Sequence, residues 1–172
     1  MLKWWISWIC VVFLAAFVVQ HGFAAEKVNF SGKYRAEHSK SALAEEVDSS
    51  LEVAQSEDAV DIKKAAGGMN STSHCPFNGS EGDYISLRGI SGKCKAQLKG
   101  KNLVIESVVL TRPQPASAPV RMRTKERWQL SADAKVLVIK SDADFPDFPP
   151  EISSAVAGST SGTTKYVRVG SN

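Results

Sequence analysis

Over most of its length the chain alternates apolar and polar residues with a period of two. Leu51, Val53 and Gln55 fall on one side of a short segment and Glu52 and Ala54 on the other. After Ser56-Glu57-Asp58 the alternation resumes at Val60, Ile62 and Lys64. Successive strand side chains point to opposite faces, so the two runs predict a hairpin. Further segments at Ser71–Phe77 and Tyr84–Arg88, then Cys94-Ala96-Leu98 against Lys95-Gln97-Lys99, are separated by glycine-rich turns. Leu103–Thr111 is the strongest apolar run, and Val120–Leu130 has nearly perfect period two before Lys135–Ser141. Eight to ten short strands at roughly 8–12-residue spacing predict an all-β, antiparallel, up-and-down meander, closed as a barrel or stacked as a β-sandwich.

Two stretches break the pattern. Arg112–Pro119 holds three prolines and reads as a loop, because proline cannot donate to a central ladder. Asp142–Glu151 is also proline-rich, and Ser153–Thr164 is small and polar. Residues 151–172 are expected to form a flexible tail in which Tyr166-Val167-Arg168-Val169 offers one terminal strand. Near the start, Asn29–Arg35 predicts a first strand, and Ser39–Ser50 leaves a short helix or a loop equally open.

The first residues follow another rule. Lys3 precedes an apolar run from Trp4 to Val19, then Gln20-His21-Gly22-Phe23-Ala24. A basic start, a short apolar segment and small residues before a cut are the marks of a secretory leader, expected as one signal helix. Gly22 and Ala24 suit cleavage after residue 24. The run is short for a membrane span, which needs about 20 residues. The expected organisation is therefore a leader over 1–24, a barrel over 25–150 and the tail, exported to a periplasmic or extracellular compartment without a stable span after cleavage.

Removing the leader changes the chemistry that remains. About 147 residues are left, enough for one domain. Lys3 leaves with it, so 20 of the 21 basic residues face 18 acidic ones, which argues against a nucleic-acid partner. Cys10 also leaves, and Cys75 and Cys94 remain as an even pair. In an oxidising compartment such a pair predicts a disulfide. Only His38 and His74 survive, too few for a histidine-rich metal centre. No metal or cofactor is expected, and no G-x-S-x-G, phosphate-binding loop or dinucleotide fingerprint points to an enzyme.

Three stretches carry a resemblance. Phe30-Ser31-Gly32-Lys33-Tyr34 with Ser39-Lys40-Ser41, the hairpin Leu98–Ser107, and Glu126-Arg127-Trp128-Gln129-Leu130-Ser131-Ala132-Asp133-Ala134-Lys135-Val136-Leu137-Val138-Ile139 resemble small exported bacterial proteins. Those proteins have an FSGxW opening and a WxLSxDGKxL closing hairpin, and most have no assigned role. The resemblance implies a lipocalin-like barrel. Tyr34 stands where that pattern has Trp, and Ala134 where it has Gly. Tyr34 can still close the barrel floor.

Candidate chemistry concentrates on Val120–Leu130. One face carries Arg121, Arg123, Lys125 and Arg127; the other carries Met122, Thr124, Glu126 and Trp128. Buried polar groups need partners, so Thr124 and Glu126 on an otherwise apolar stripe suggest a cavity. Tyr34, Met122 and Trp128 would give it apolar contact, and Thr124 and Glu126 would orient the polar end of a small apolar or amphiphilic ligand. The alternative is an envelope structural or interaction module that uses the basic face. A catalytic reading would need Glu126 within reach of Asp144 or His74. Asp142, Asp144 and Asp147 lack the spacing of a calcium loop.

Overall fold

The computed structural model describes residues 28–37, 49–112, 118–149 and 162–170. The leader, most of Ser39–Ser50 and most of the tail before Gly162 lie outside the described residues. Ten strands follow in chain order: β1 (Gly32–Ala36), β2 (Ser49–Gln55), β3 (Ala59–Ala66), β4 (Met69–Pro76), β5 (Gly82–Ile85), β6 (Ser91–Lys99), β7 (Asn102–Thr111), β8 (Val120–Leu130), β9 (Val136–Asp144) and β10 (Gly162–Arg168). Each pairs antiparallel with its sequence neighbour, and β1 pairs with β10. The result is a closed barrel rather than a sandwich, which leaves no edge strand among the described residues.

Local chemistry sets the turns. Ser56 accepts backbone hydrogen bonds from Asp58 and Ala59 through its Oγ and fixes the β2–β3 corner. Gly67 and Gly68 both have positive φ, 55° and 76°. That is what a two-residue hairpin requires, and Ala66 pairs directly with Met69 across it. β5 is shorter than its alternation suggests. Ser86 ends it, because its carbonyl accepts from Gly89 and its Oγ from Ile90, turning the chain where a strand over Tyr84–Arg88 was expected. β9 is longer than expected and runs to Asp144, where Asp144 lies opposite Arg123. The terminal segment at Tyr166–Arg168 falls within β10, which closes the sheet against β1 and β9.

The turns β2–β3, β4–β5, β6–β7 and β8–β9 share one end of the barrel, and the solid core lies there. Phe30, Tyr34, Leu103, Trp128, Leu137 and Tyr166 are all essentially inaccessible. Tyr34 donates its hydroxyl hydrogen to the Phe30 carbonyl at 2.8 Å. Arg168 donates to the Tyr34 oxygen at 2.7 Å and to the Ser31 carbonyl at 3.1 Å, with its guanidinium 5.2 Å from the centre of the Tyr34 ring. The two chain ends of the barrel are thus locked together across the floor.

Cys75 and Cys94 form the disulfide, with Cα atoms 5.2 Å apart. It links β4 to β6, which are not neighbours; β5 lies between them. The sulfurs pass where Gly82 of β5 pairs with Cys94. A Cβ on Gly82 would sit 1.8 Å from the His74 carbonyl oxygen, so this crossing requires glycine. The β4–β5 seam is the weakest in the sheet, paired only at Thr72–Ile85 and Ser73–Tyr84. The bridge spans it.

Candidate ligand cavity

Above the solid floor the barrel is hollow. The cavity has a volume of about 300 Å³ and is lined by inward positions of β2–β5 and β7–β9 together with the β5–β6 turn. Its wall is mostly apolar: Leu51, Ile62, Ile105, Met122, Trp128 and Ile139. These are the alternate residues of each strand, so period two in the sequence becomes a continuous apolar lining. Leu87, Arg88 and Ile90 of the β5–β6 turn, with Lys64 near the end of β3 and Thr111 at the end of β7, mark the mouth. Phe145 and Phe148, with ring centres 5.9 Å apart, pack with Val120 and Met122 at the same end.

Half of the lining residues are polar; away from the mouth and the β5–β6 turn they are Ser71, Ser73, Tyr84, Ser107 and Glu126. Glu126 and Trp128 are consecutive inward residues of β8, and the indole Nε1 donates to the Glu126 carboxylate at 2.8 Å. Glu126 lies opposite Ile105 on β7 and Ser141 on β9. Tyr84 reaches in from β5 within hydrogen-bonding reach of Ser107. Burial pushes the Tyr84 phenol up, the nearby Glu126 charge pushes it the same way, and the Ser107 contact partly offsets both. Ser71 is satisfied by donating to the Ile85 carbonyl at 2.7 Å. Ser73 completes the polar side of the wall.

Of the ligand-contact residues expected from sequence, Met122, Glu126 and Trp128 come together on this wall. Tyr34 does not line it: the ring is in the floor and its hydroxyl is held by Phe30 and Arg168. Thr124 is half-buried between Ser107 of β7 and Ala143 of β9 and also lies outside the lining. Ser71, Ser73 and Tyr84 were missed. The β3–β4 register places Ser71 opposite Lys64 and Ser73 opposite Ile62, a relation that the Gly67-Gly68 turn fixes and that alternation on one strand does not reveal. The grouping a catalytic reading needs is not formed. Asp144 faces outward and binds Arg123 at 2.6 Å, and His74 lies on the outer surface 2.7 Å from Asp61. Among the described residues no group of three or more His, Cys, Asp or Glu could hold a metal ion.

The outer face of β8 is less basic than its sequence. Arg121 grips Asp147 and Arg123 grips Asp144, each through two guanidinium nitrogens. Lys125 binds Glu106, which Lys95 also reaches. The Arg121 guanidinium beside Asp147 holds that carboxyl below its usual range, and Lys125 does the same to Glu106. Asp144 and Asp147, two of the three aspartates that lack calcium-loop spacing, are thus partners for arginine. Arg127 and Lys140 face each other across β8 and β9, and with Lys99 they line a shallow groove on the outer face.

No protein-family profile and no curated protein matches the sequence. The barrel does match solved structures. A protein described as the REP1-NXSQ fatty acid transporter superposes with a TM-score of 0.52 at 13% identity, covering 83% of this chain and 97% of that one. Apo lipid binding protein 8 of Caenorhabditis elegans gives 0.52 at 11% identity, covering 81% and 95%. Both likenesses span nearly the whole of the other chain, so the shared feature is the complete barrel. At such low identity it is a likeness of fold.

Proposed function

We propose that this protein is an exported, non-catalytic barrel that binds one small apolar or amphiphilic molecule. The observation that carries the reading is the cavity itself: about 300 Å³, walled mainly by apolar side chains, with a carboxylate and a phenol turned inward. Few, placed polar groups in an apolar concavity are what a small-molecule site needs. Met122 and Trp128 supply apolar contact and Glu126 orients the polar end, while Tyr34 and Thr124 support the floor and wall. The likeness to barrels described as a fatty acid transporter and a lipid binding protein supports the same reading.

Export rests on the leader, with cleavage after Ala24, and on the buried disulfide, which suits an oxidising compartment. Among the described residues no helix is long and apolar enough to cross a membrane. Native mass spectrometry of protein purified from its exported fraction, with organic extraction of any co-purified lipid, tests the binding reading. A bound species released on extraction is expected. An empty protein that takes up no amphiphile would end it.

The outer groove favours a second reading, contact with an acidic envelope partner. Like charges directly opposite across strands destabilise a sheet, and Arg127–Lys140 is such a pair, with no acidic partner within ion-pair distance among the described residues. Reversing both charges should abolish capture of that partner, and unchanged capture would count against it.

A further inference from the structure

The cavity has a polarity of its own. Its inner acidic group, Glu126, sits six residues along β8 from Val120 at the mouth, just above Trp128 and the solid floor. One carboxylate oxygen accepts the indole hydrogen and the other has no hydrogen-bond partner among the described residues; the side chain lines the cavity. No cation forms an ion pair with Glu126 among the described residues. Lys64 and Arg88, which also line the cavity, are placed toward the mouth. Nearby, the Tyr84 phenol is raised first by burial and then by the Glu126 charge, with the Ser107 hydrogen bond acting the other way. The inner half of the cavity therefore carries a carboxylate whose second oxygen has no protein partner among the described residues, with Tyr84 and Ser107 beside it in an otherwise largely apolar wall.

We infer that the ligand's inner polar end is a hydrogen-bond donor carrying positive charge, a protonated primary amine on an alkyl chain, and not a carboxylate. This rests on the amphiphile-binding reading above and specifies its ligand class. A carboxylate placed there would meet Glu126 as a like charge, and two carboxylates sharing a site repel. An ammonium would give the free oxygen a charge-assisted hydrogen bond, the stronger kind. The volume, about 300 Å³, equals roughly ten water-sized groups at ~30 Å³ each, which sets the chain near ten carbons. Lys64 and Arg88 at the mouth disfavour a second cation at the other end of the chain, so the fit is to a monoamine.

The test is titration calorimetry of the lipid-free exported protein, which has lost Trp4, Trp5 and Trp8 with its leader, at pH 7 with decylamine, decanoate and decan-1-ol, with the Trp128 emission followed in parallel. Decylamine is expected to bind at least about tenfold more tightly than decanoate, the scale of a hydrogen bond to a charged group, and to change the Trp128 emission. Glu126→Gln keeps an acceptor for the indole and should erase that preference. Tyr84→Phe retains the carboxylate and should keep it. Tighter binding of decanoate, or a preference that survives Glu126→Gln, would overturn the inference while leaving an amphiphile-binding protein. Failure of all three probes would remove both. The comparison of ligands on the unaltered protein decides the matter even if a variant does not fold.

Discussion

Breaking the Cys75–Cys94 bridge should weaken the barrel by about 3 kcal/mol. The bridge closes a sequence separation of 19 residues, and restricting an unfolded loop of that length corresponds to ~3 kcal/mol at 25 °C. Both cysteines are buried, at 0% and 2% exposure, so solvent reaches the bridge only when the barrel opens. The bridge also crosses the seam where β4 and β5 pair only at Thr72–Ile85 and Ser73–Tyr84. For a domain of this size the loss should lower Tm by roughly 10 °C. The measurement is thermal and urea unfolding followed by Trp128 fluorescence for three samples: oxidised protein, protein reduced while unfolded and then refolded, and Cys75→Ala with Cys94→Ala. The reduced sample keeps both side chains but must part the two sulfurs, so its difference from the oxidised one reports chain closure together with the local repacking that follows. The double variant adds the loss of buried sulfur volume. If oxidised and reduced protein melt within about 2 °C of each other, loop closure is not what the bridge contributes.

Gly82→Ala should be more damaging, because its Cβ would lie 1.8 Å from the His74 carbonyl oxygen and 2.6 Å from Pro76 Cδ. A loss of about 1–3 kcal/mol or more is expected from such overpacking, and an unchanged urea midpoint would refute the close approach. Ala134→Gly should stabilise the β8–β9 turn. Ala134 holds φ at 54°, a left-handed conformation that costs a side-chain-bearing residue ~1 kcal/mol or more; a fall in Tm would contradict it. Tyr84 should ionise above pH 10, and Glu126→Gln should bring its titration down by removing the neighbouring negative charge, as read by carbon-13 NMR of labelled tyrosine. Its neutral form is favoured on folding, so that contribution is complete below pH 10 and fades as pH rises through the folded value. A Tyr84 titration indifferent to Glu126→Gln would place the two groups farther apart than described.

Period-two alternation determined a good deal by itself. It assigned the two faces of β8, and the burial of Val120 and Trp128 against the exposure of Arg121 and Arg127 follows that assignment. The even cysteine pair pointed to its own bridge. The mismatch at Ala134 was legible too, since a position that favours Gly is one where φ turns positive. What alternation could not decide was which strands meet. A residue's face is a local property, whereas its neighbour across the sheet depends on turn length and register. For that reason Thr124, inward by pattern, lies outside the cavity lining, and Tyr34, aromatic and inward, belongs to the floor. Ser71, Ser73 and Tyr84 join the cavity only because short turns bring β3, β4 and β5 into sequence-adjacent pairing. The basic ladder of β8 shows the same limit from outside: its charges are plain in the sequence, yet Asp144, Asp147 and Glu106 neutralise most of it only once β7, β9 and the loop after β9 are folded alongside. The sequence alone determined strand faces, turns and the disulfide, because those depend on neighbours in the chain. Closure by β10, the depth of the floor and the isolation of Glu126 within the cavity were decided by tertiary structure, because each depends on residues far apart in the sequence.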